Sequence, residues 1–235
     1  MKRFKLFIYN LFFSRRRYSM RAARWRNAFH LMPFEKLLYR TMAFILGNSI
    51  KGDYLEFGTY QGRSFASAHH IAQFHKLKNM RFYAFDSFEG LPEIEGVDQE
   101  GFCNFTKGDF LCSQEKFKKI LKRRGVDLNK VQLIPGWFDK VLNDETKKSL
   151  PIKKAAVIWI DCDLYESTVP VLDFITDYVQ DGTIIIFDDW FAFRGNPNRG
   201  EQLAFREWLT KNPQITASEF RKFDWSANSF ILHHD

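Results

Sequence analysis

Residues 155–168, AAVIWIDCDLYEST, and residues 183–190, TIIIFDDW, decide how this chain folds. Each opens as an apolar, largely β-branched run of the kind that fills a strand covered on both faces. Each closes on acids, Asp161 and Asp163 in the first and Asp188 and Asp189 in the second. Ser167 to Val179 has helical spacing between them, so the economical reading is one β-α-β unit with a right-handed crossover. The C-terminal ends of neighbouring parallel strands lie at one sheet edge, where open α/β folds bind ligands. Four carboxylates therefore converge. Uncompensated, they repel one another and take up protons, whereas a hard divalent cation with oxygen ligands keeps them ionised.

Side chains repeat every second residue along a strand, so Asp161 and Asp163 share a face while the strand persists. Asp188 and Asp189 point apart if extended, and together only if the strand stops and the turn rotates them. The division of labour that follows has Asp161, Asp188 and Asp189 as cation ligands and Asp163 as general base on a substrate hydroxyl. No thiolate or imidazole cluster accompanies the acids, so the ion is Mg²⁺ or a similar cation. One Asp at a strand end is commonly a loop cap. Two acidic pairs at adjacent strand ends are harder to explain that way.

Working back towards the N-terminus, Asp53 to Gly58 reads as a buried strand stopping at a glycine, with Gly62 next and Ser64 as N-cap of a helix from Phe65 to His75. A strand, a glycine turn and a helix start bring backbone N–H groups close to a ligand. The Gly-x-x-x-Gly spacing is not the dinucleotide fingerprint, and an ordinary βα turn would look the same. His69, His70 and His75 on that helix lack an acidic neighbour in sequence, so surface positions are expected rather than metal ligation. Arg81 to Phe85 is the second strand. Asp86 at its tip is the candidate acceptor for ribose hydroxyls, with loop capping as the plainer role. Pro92 to Cys112 lacks periodicity, and a loop of that length in a compact domain is usually a lid or substrate wall. A helix from Ser113 to Arg124 and a strand from Val131 to Pro135 follow, then Gly136-Trp137-Phe138, where Trp137 either stacks an adenine or joins the core.

Beyond the acidic unit, Phe191 to Gly200 is a polar loop whose Arg194, Asn196 and Arg199 are placed to meet an acceptor. A helix from Glu201 to Thr210 comes next. Two closing strands, near Phe220–Phe223 and Ser229–His233, are expected as an antiparallel edge pair.

The 235 residues, 45% hydrophobic and 17% aromatic, suit one domain of good size plus an extension. Cys103, Cys112 and Cys162 form no CxxC pair, which fits small buried residues in a reducing, intracellular compartment. The net charge of +7 is uneven: residues 1–50 hold eleven Lys or Arg against Glu35 alone. The basic signal thus belongs to an extension, 1–50, and not to the domain, 51–235. Its apolar run, Leu6 to Phe13, is too short to span a bilayer and is followed by Arg15-Arg16-Arg17 without a cleavage pattern. Two readings stand for residues 1–30: an interfacial helix peripheral to the inner face of a membrane, or a basic helix packing on the domain or on a second copy of the chain. Without a recognisable reading module, nucleic acid is not an expected partner.

With these stretches in place, the chain resembles the macrocin O-methyltransferase family of S-adenosylmethionine-dependent enzymes. The resemblance rests on Gly52 to Gly58 with Gly62, on Phe85-Asp86-Ser87-Phe88-Glu89-Gly90-Leu91-Pro92, and on Pro135 to Phe138. Asp161 to Thr168 and Phe187 to Trp190 complete it. It implies an α/β fold of class I methyltransferase type, a Rossmann-like three-layer sandwich whose seven-stranded, mostly parallel sheet has an antiparallel last strand. It implies S-adenosylmethionine against Glu56, Gly58, Thr59, Tyr60, Gly62, Ser64, Asp86, Ser87, Gly136, Trp137, Phe138 and Asp161. It places Mg²⁺ at Asp161, Asp188 and Asp189, and catalysis on Asp163 and Asp161. The implied acceptor is a hydroxyl of a sugar or glycosylated small molecule. Cys162 stands where glycine is frequent, and Trp190-Phe191 where tyrosine and glycine are frequent. A catechol-like phenol would chelate the same ion, and a non-catalytic cofactor- or glycan-binding protein is the reading from another class.

Overall fold

The computed structural model describes residues 31–99 and 106–234. Readings made for residues 1–30 and for Cys103 lie outside the described residues. Along the chain the elements are α1 (Pro33–Gly47), β1 (Asp53–Phe57), α2 (Arg63–Phe74), β2 (Phe82–Asp86), α3 (Gln114–Arg123) and β3 (Val131–Pro135). The short helices α4 (Phe138–Val141) and α5 (Asp144–Ser149) lead to β4 (Ala155–Ile160), α6 (Tyr165–Ile175) and β5 (Ile184–Phe187). The chain closes with α7 (Gly200–Lys211), β6 (Ile215–Glu219) and β7 (Asn228–His234). Seven strands form one sheet in the order β3-β2-β1-β4-β5-β7-β6. β7 runs antiparallel to both its neighbours, and the other six run one way.

Every residue of β4 and β5 is buried, because helices cover both faces at the centre of the sheet. Alternation decides which layer each side chain enters. Val157, Trp159, Ile184 and Ile186 join the layer under α1, α2 and α3, while Ile158, Ile160, Ile185 and Phe187 join the layer under α6 and α7. Parallel register puts Phe57 beside Ile160 and Ile160 beside Phe187, so β1, β4 and β5 end level with one another. That common end carries Gly58, Asp161 and Asp188.

Leu37, Leu38, Met42 and Ile45 of α1 are buried against the first layer, so this helix of the basic extension is built into the core. The closing strands differ from the sequence expectation. The edge strand is Ile215–Glu219, and β7 lies inside the sheet between it and β5. Only Ile215 of β6 is buried, so the strand carries almost no apolar pattern to read. The apolar Phe220 and Phe223 that suggested a strand are loop residues packed on Phe44 (5.5 Å) and Trp159 (5.7 Å).

The cap readings change too. Arg63 rather than Phe65 opens α2, with Gly62 as N-cap in the left-handed region, and Ser64 lies inside the helix. Helix α6 starts at Tyr165, two residues before the expected Ser167, and Thr168 within it donates to Leu164 O (2.7 Å). His69 and His70 are buried, not superficial: Asp127 N–H donates to His69 Nε2 (3.3 Å), and His70 Nε2 pairs with Arg124 O at 2.9 Å. Burial lowers them to about 3 and about 4, which keeps both rings neutral. Leu38 is fully enclosed, so Leu38→Ala is expected to cost about 2–5 kcal/mol in denaturant unfolding. A loss within experimental error would show that α1 is only loosely attached.

Candidate active site

The level strand ends open into a cavity of about 1020 Å³, large enough for a nucleoside-sized ligand and a second molecule together. One side is built from the turns after β1, β2 and β3. Gly58, Thr59, Tyr60, Asp86, Ser87, Gly136, Trp137 and Phe138 all line it. Asp86 pins this side together: its Oδ2 accepts from Thr59 N (2.6 Å), Thr59 Oγ1 (3.0 Å) and Tyr60 N (3.2 Å), and its Oδ1 from Phe88 N (2.7 Å). The carboxylate therefore fixes the glycine turn to the tip of β2 and retains acceptor capacity at Oδ1. Trp137 is half-buried and faces the cavity, not the core.

Gly58 has φ +80, and a Cβ there would lie 1.7 Å from Asp161 O. Backbone contact between the ends of β1 and β4 is what demands glycine. Gly62, Ser64 and Glu56 do not line the cavity. A Cβ at Gly62 would strike Phe117 of α3 at 2.6 Å, so that glycine serves helix packing. Glu56 is wholly buried behind the turn, accepting from Tyr54 Oη and from Ser64 Oγ (2.7 Å). The three residues brace the donor-side turn from beneath.

The other side of the cavity carries the acids. β4 stops at Ile160 and β5 at Phe187, and the turns that follow rotate the side chains inward; Asp163 takes a left-handed φ of +64. Ligand atoms of Asp161, Asp188 and Asp189 all lie within 4.8 Å of one another, so the adjacent pair 188–189 does converge. No histidine or cysteine belongs to the cluster. Burial pushes every member up, Asp188 to about 7, Asp189 to about 6 and Asp161 well above the usual range; neighbouring carboxylates raise Asp161 and Asp188 further, while a hydrogen bond from Asp163 lowers Asp189. Asp163 is raised for the same reasons and shares a hydrogen bond with Asp189. An all-carboxylate set that suffers from its own charge fits a hard divalent cation. Arg63, whose guanidinium lies 4.9 Å over the Phe34 ring, is the positive group that offsets Asp188.

Two acids missed in the sequence complete this side. Glu201, 1% exposed at the start of α7, accepts from Asp189 N at 3.1 Å, and its Oε1 is buried without a partner. Asp98, also 1% exposed, lies in the long loop and accepts from Tyr165 N (2.5 Å) and Gly200 N (2.9 Å). An acid in the first turn of a helix and an acid in a loop are both ordinary surface patterns, so neither carried a signal. The loop does form a wall, with Pro92, Glu93, Glu95, Gly96, Lys107 and Phe110 on the cavity and Phe110 edge-on to Tyr60 at 5.6 Å. Arg194, Asn196 and Arg199 are not among the lining residues. Among the described residues no helix is long and apolar enough to cross a membrane.

Six parallel strands, one antiparallel strand and a cavity across the level strand ends define a class I methyltransferase fold. The O-methyltransferase NovP superposes with a TM-score of 0.70 at 22% identity, covering 84% of this chain and 78% of that one. An O-methyltransferase from Bacillus cereus in complex with SAH does so at 0.53 with 13% identity, covering 91% and 87%. The chain belongs to the macrocin O-methyltransferase (TylF) family, which it matches over residues 33–227. A Streptomyces olivaceus relative, 8-demethyl-8-(2,3-dimethoxy-alpha-L-rhamnosyl)-tetracenomycin-C 4'-O-methyltransferase, is 30% identical over 150 residues, 62% of this chain and 56% of the relative. The match thus spans little more than half the length of the curated relatives.

Burial raises Glu56 from 4.5 to about 8. Between those values the folded chain keeps a proton that the unfolded chain has released, so stability falls as pH rises through that window. Glu56→Gln keeps an acceptor and a donor for the two hydroxyls and removes that slope. Thermal melts from about pH 5 to about pH 8 are therefore expected to move in favour of the variant as pH rises. A constant gap between the two proteins would show Glu56 ionised in the fold.

Proposed function

We propose that this chain transfers a methyl group from S-adenosylmethionine to a hydroxyl of a sugar or glycosylated small molecule, with Mg²⁺ or a similar cation held by Asp161, Asp188 and Asp189. The observation that carries the reading is the close approach of those three carboxylates on the wall facing the glycine turn. Family membership and the rhamnosyl substrate in a relative's name support the acceptor class.

The donor supplies an electrophilic methyl on a sulfonium, and the reaction is an in-line displacement governed mainly by positioning. Thr59, Tyr60 and Asp86 hold the turn on which the donor rests, and Trp137 and Phe138 give its ring a half-buried aromatic side. A bound cation supplies the positive charge that makes a sugar hydroxyl more acidic and relieves the repulsion among the aspartates. The acceptor oxygen forms its bond to carbon as the sulfur–carbon bond breaks, and its proton passes to Asp163, which faces the same cavity. Leu164, Ala192 and Phe193 pack into a small apolar cluster behind these acids.

Labelled methyl transfer to a panel of glycosides, sugars and phenols, with and without chelator, tests the reading. Asp161→Asn and Asp188→Asn are expected to abolish transfer while S-adenosylmethionine binding, read by calorimetry, largely survives. Near-normal turnover of either variant in chelator-treated buffer would sink the cation mechanism. Asp163→Asn is expected to lower kcat by about 10²–10⁴ with cation affinity retained. If it lowers cation affinity as far as Asp161→Asn does, Asp163 is a ligand and not the base.

A further inference from the structure

We propose that Asp98 is a positioning residue that sets the acceptor wall and the acidic cluster together. Helices α6 and α7 follow the two acid-bearing strand ends, and neither has a side-chain cap of its own: their N-cap residues, Leu164 and Arg199, make no capping hydrogen bond. The orphan N–H groups at both starts are met by one carboxylate from a distant loop. Asp98 Oδ2 accepts from Tyr165 N (2.5 Å) and Oδ1 from Gly200 N (2.9 Å), with the side chain removed from water. A negative charge at two helix N-termini is favoured by both backbone dipoles.

The fastening reaches the cluster along two short routes. On one, Tyr165 is two residues from Asp163. On the other, Gly200 precedes Glu201, whose Oε2 receives Asp189 N–H at 3.1 Å and so fixes where the Asp189 side chain leaves the backbone. Within its own loop, Asp98 ends a segment whose Glu93, Glu95 and Gly96 line the cavity and whose Ile94 packs on Leu164, Ala192 and Phe193. Wall and cluster therefore share one clasp. Through the cation, the inference rests on the function proposed above. Through the fastening of the wall it does not.

Calorimetric titration of Mg²⁺ and of S-adenosylmethionine into the wild type, Asp98→Ala and Asp98→Asn tests it, alongside hydrogen exchange of residues 92–99. Loss of a partner that orients a ligand commonly weakens metal binding by about 10–100-fold, and Asp98→Ala is expected to fall in that range with cofactor affinity within about twofold of wild type. Asp98→Asn, whose amide oxygen caps one N–H and whose NH₂ opposes the other, falls between. In the wild type Mg²⁺ slows exchange in 92–99 together with 161–166, and in Asp98→Ala the effect on 92–99 disappears. Unchanged Mg²⁺ affinity in Asp98→Ala overturns the proposal, as does an equal loss of cation and cofactor affinity in both variants. If the wild type binds no Mg²⁺, the cation reading fails by itself, and wall exchange in Asp98→Ala equal to wild type then overturns the clasp. Should neither variant fold, wild-type protection of 161–166 by Mg²⁺ without protection of 92–99 overturns it.

Discussion

Repulsion among buried carboxylates is the constraint around which this structure is arranged. Asp161, Asp163, Asp188, Asp189 and Glu201 gather where β4 and β5 end; burial raises all five, and mutual charge raises all but Asp189 further. Placing such groups out of water is costly unless they are paired, hydrogen-bonded or bound to a cation. The fold meets that cost with two apolar layers, one on each face of the sheet, whose packing does not depend on the cluster. Local devices do the rest. Asp189 N–H donates to Glu201, Asp163 is hydrogen-bonded to Asp189, and Arg63, lying over the ring of Phe34, lowers Asp188 by its charge. A sheet edge can carry this much unfavourable charge only because the strands beneath it are so thoroughly buried.

The glycine turn and the acids meet through backbone. Gly58 lies against Asp161 O, so the donor-side turn and the first acid of the cluster are fixed relative to each other by hydrogen-bonded strands. Any side chain at residue 58 would force β1 and β4 apart at the point where both sites are built. Asp86 performs the matching task between β1 and β2. The glycine turn is thus tied to both neighbouring strands by hydrogen bonds, which suits the placement of two reactants that the proposed function requires.

Much of this was legible in the chain and some was not, for physical reasons. β4, β5 and their terminal acids are plain in the sequence, because strands buried on both faces write continuous apolar runs into it, while the edge strand β3 is legible from Val131, Leu133 and Ile134 closed by Pro135. The convergence of Asp188 and Asp189 was conditional on where β5 stops, which periodicity does not reveal. β6 escapes a reading because Ile215–Glu219 holds only one large apolar residue, while the loop phenylalanines Phe220 and Phe223 imitate a strand. Asp98 and Glu201 were invisible because their roles arise from contacts across the fold: Asp98 meets partners 67 and 102 residues away. Ser64 reads as a helix N-cap and Glu56 enters only through the resemblance as a cofactor contact, because sequence does not tell a residue beneath the turn from one on its surface.

The distribution of order within the cavity bears on how a family with this fold changes acceptors. Beneath the donor side, Phe57 stacks on Phe85 at 4.4 Å and both meet Phe174, so that floor is a close-packed aromatic layer continuous with the core. A substitution there disturbs packing first and specificity second. The facing wall is made of loop residues, Glu93, Glu95, Lys107 and Phe110; Lys107 pairs with Glu93, Phe110 meets Tyr60, and none of the four belongs to the apolar core. Exchanges among them alter shape and charge at small cost in stability. On the function proposed above, a change of acceptor falls to the wall, while packing holds the acids and the glycine turn in place.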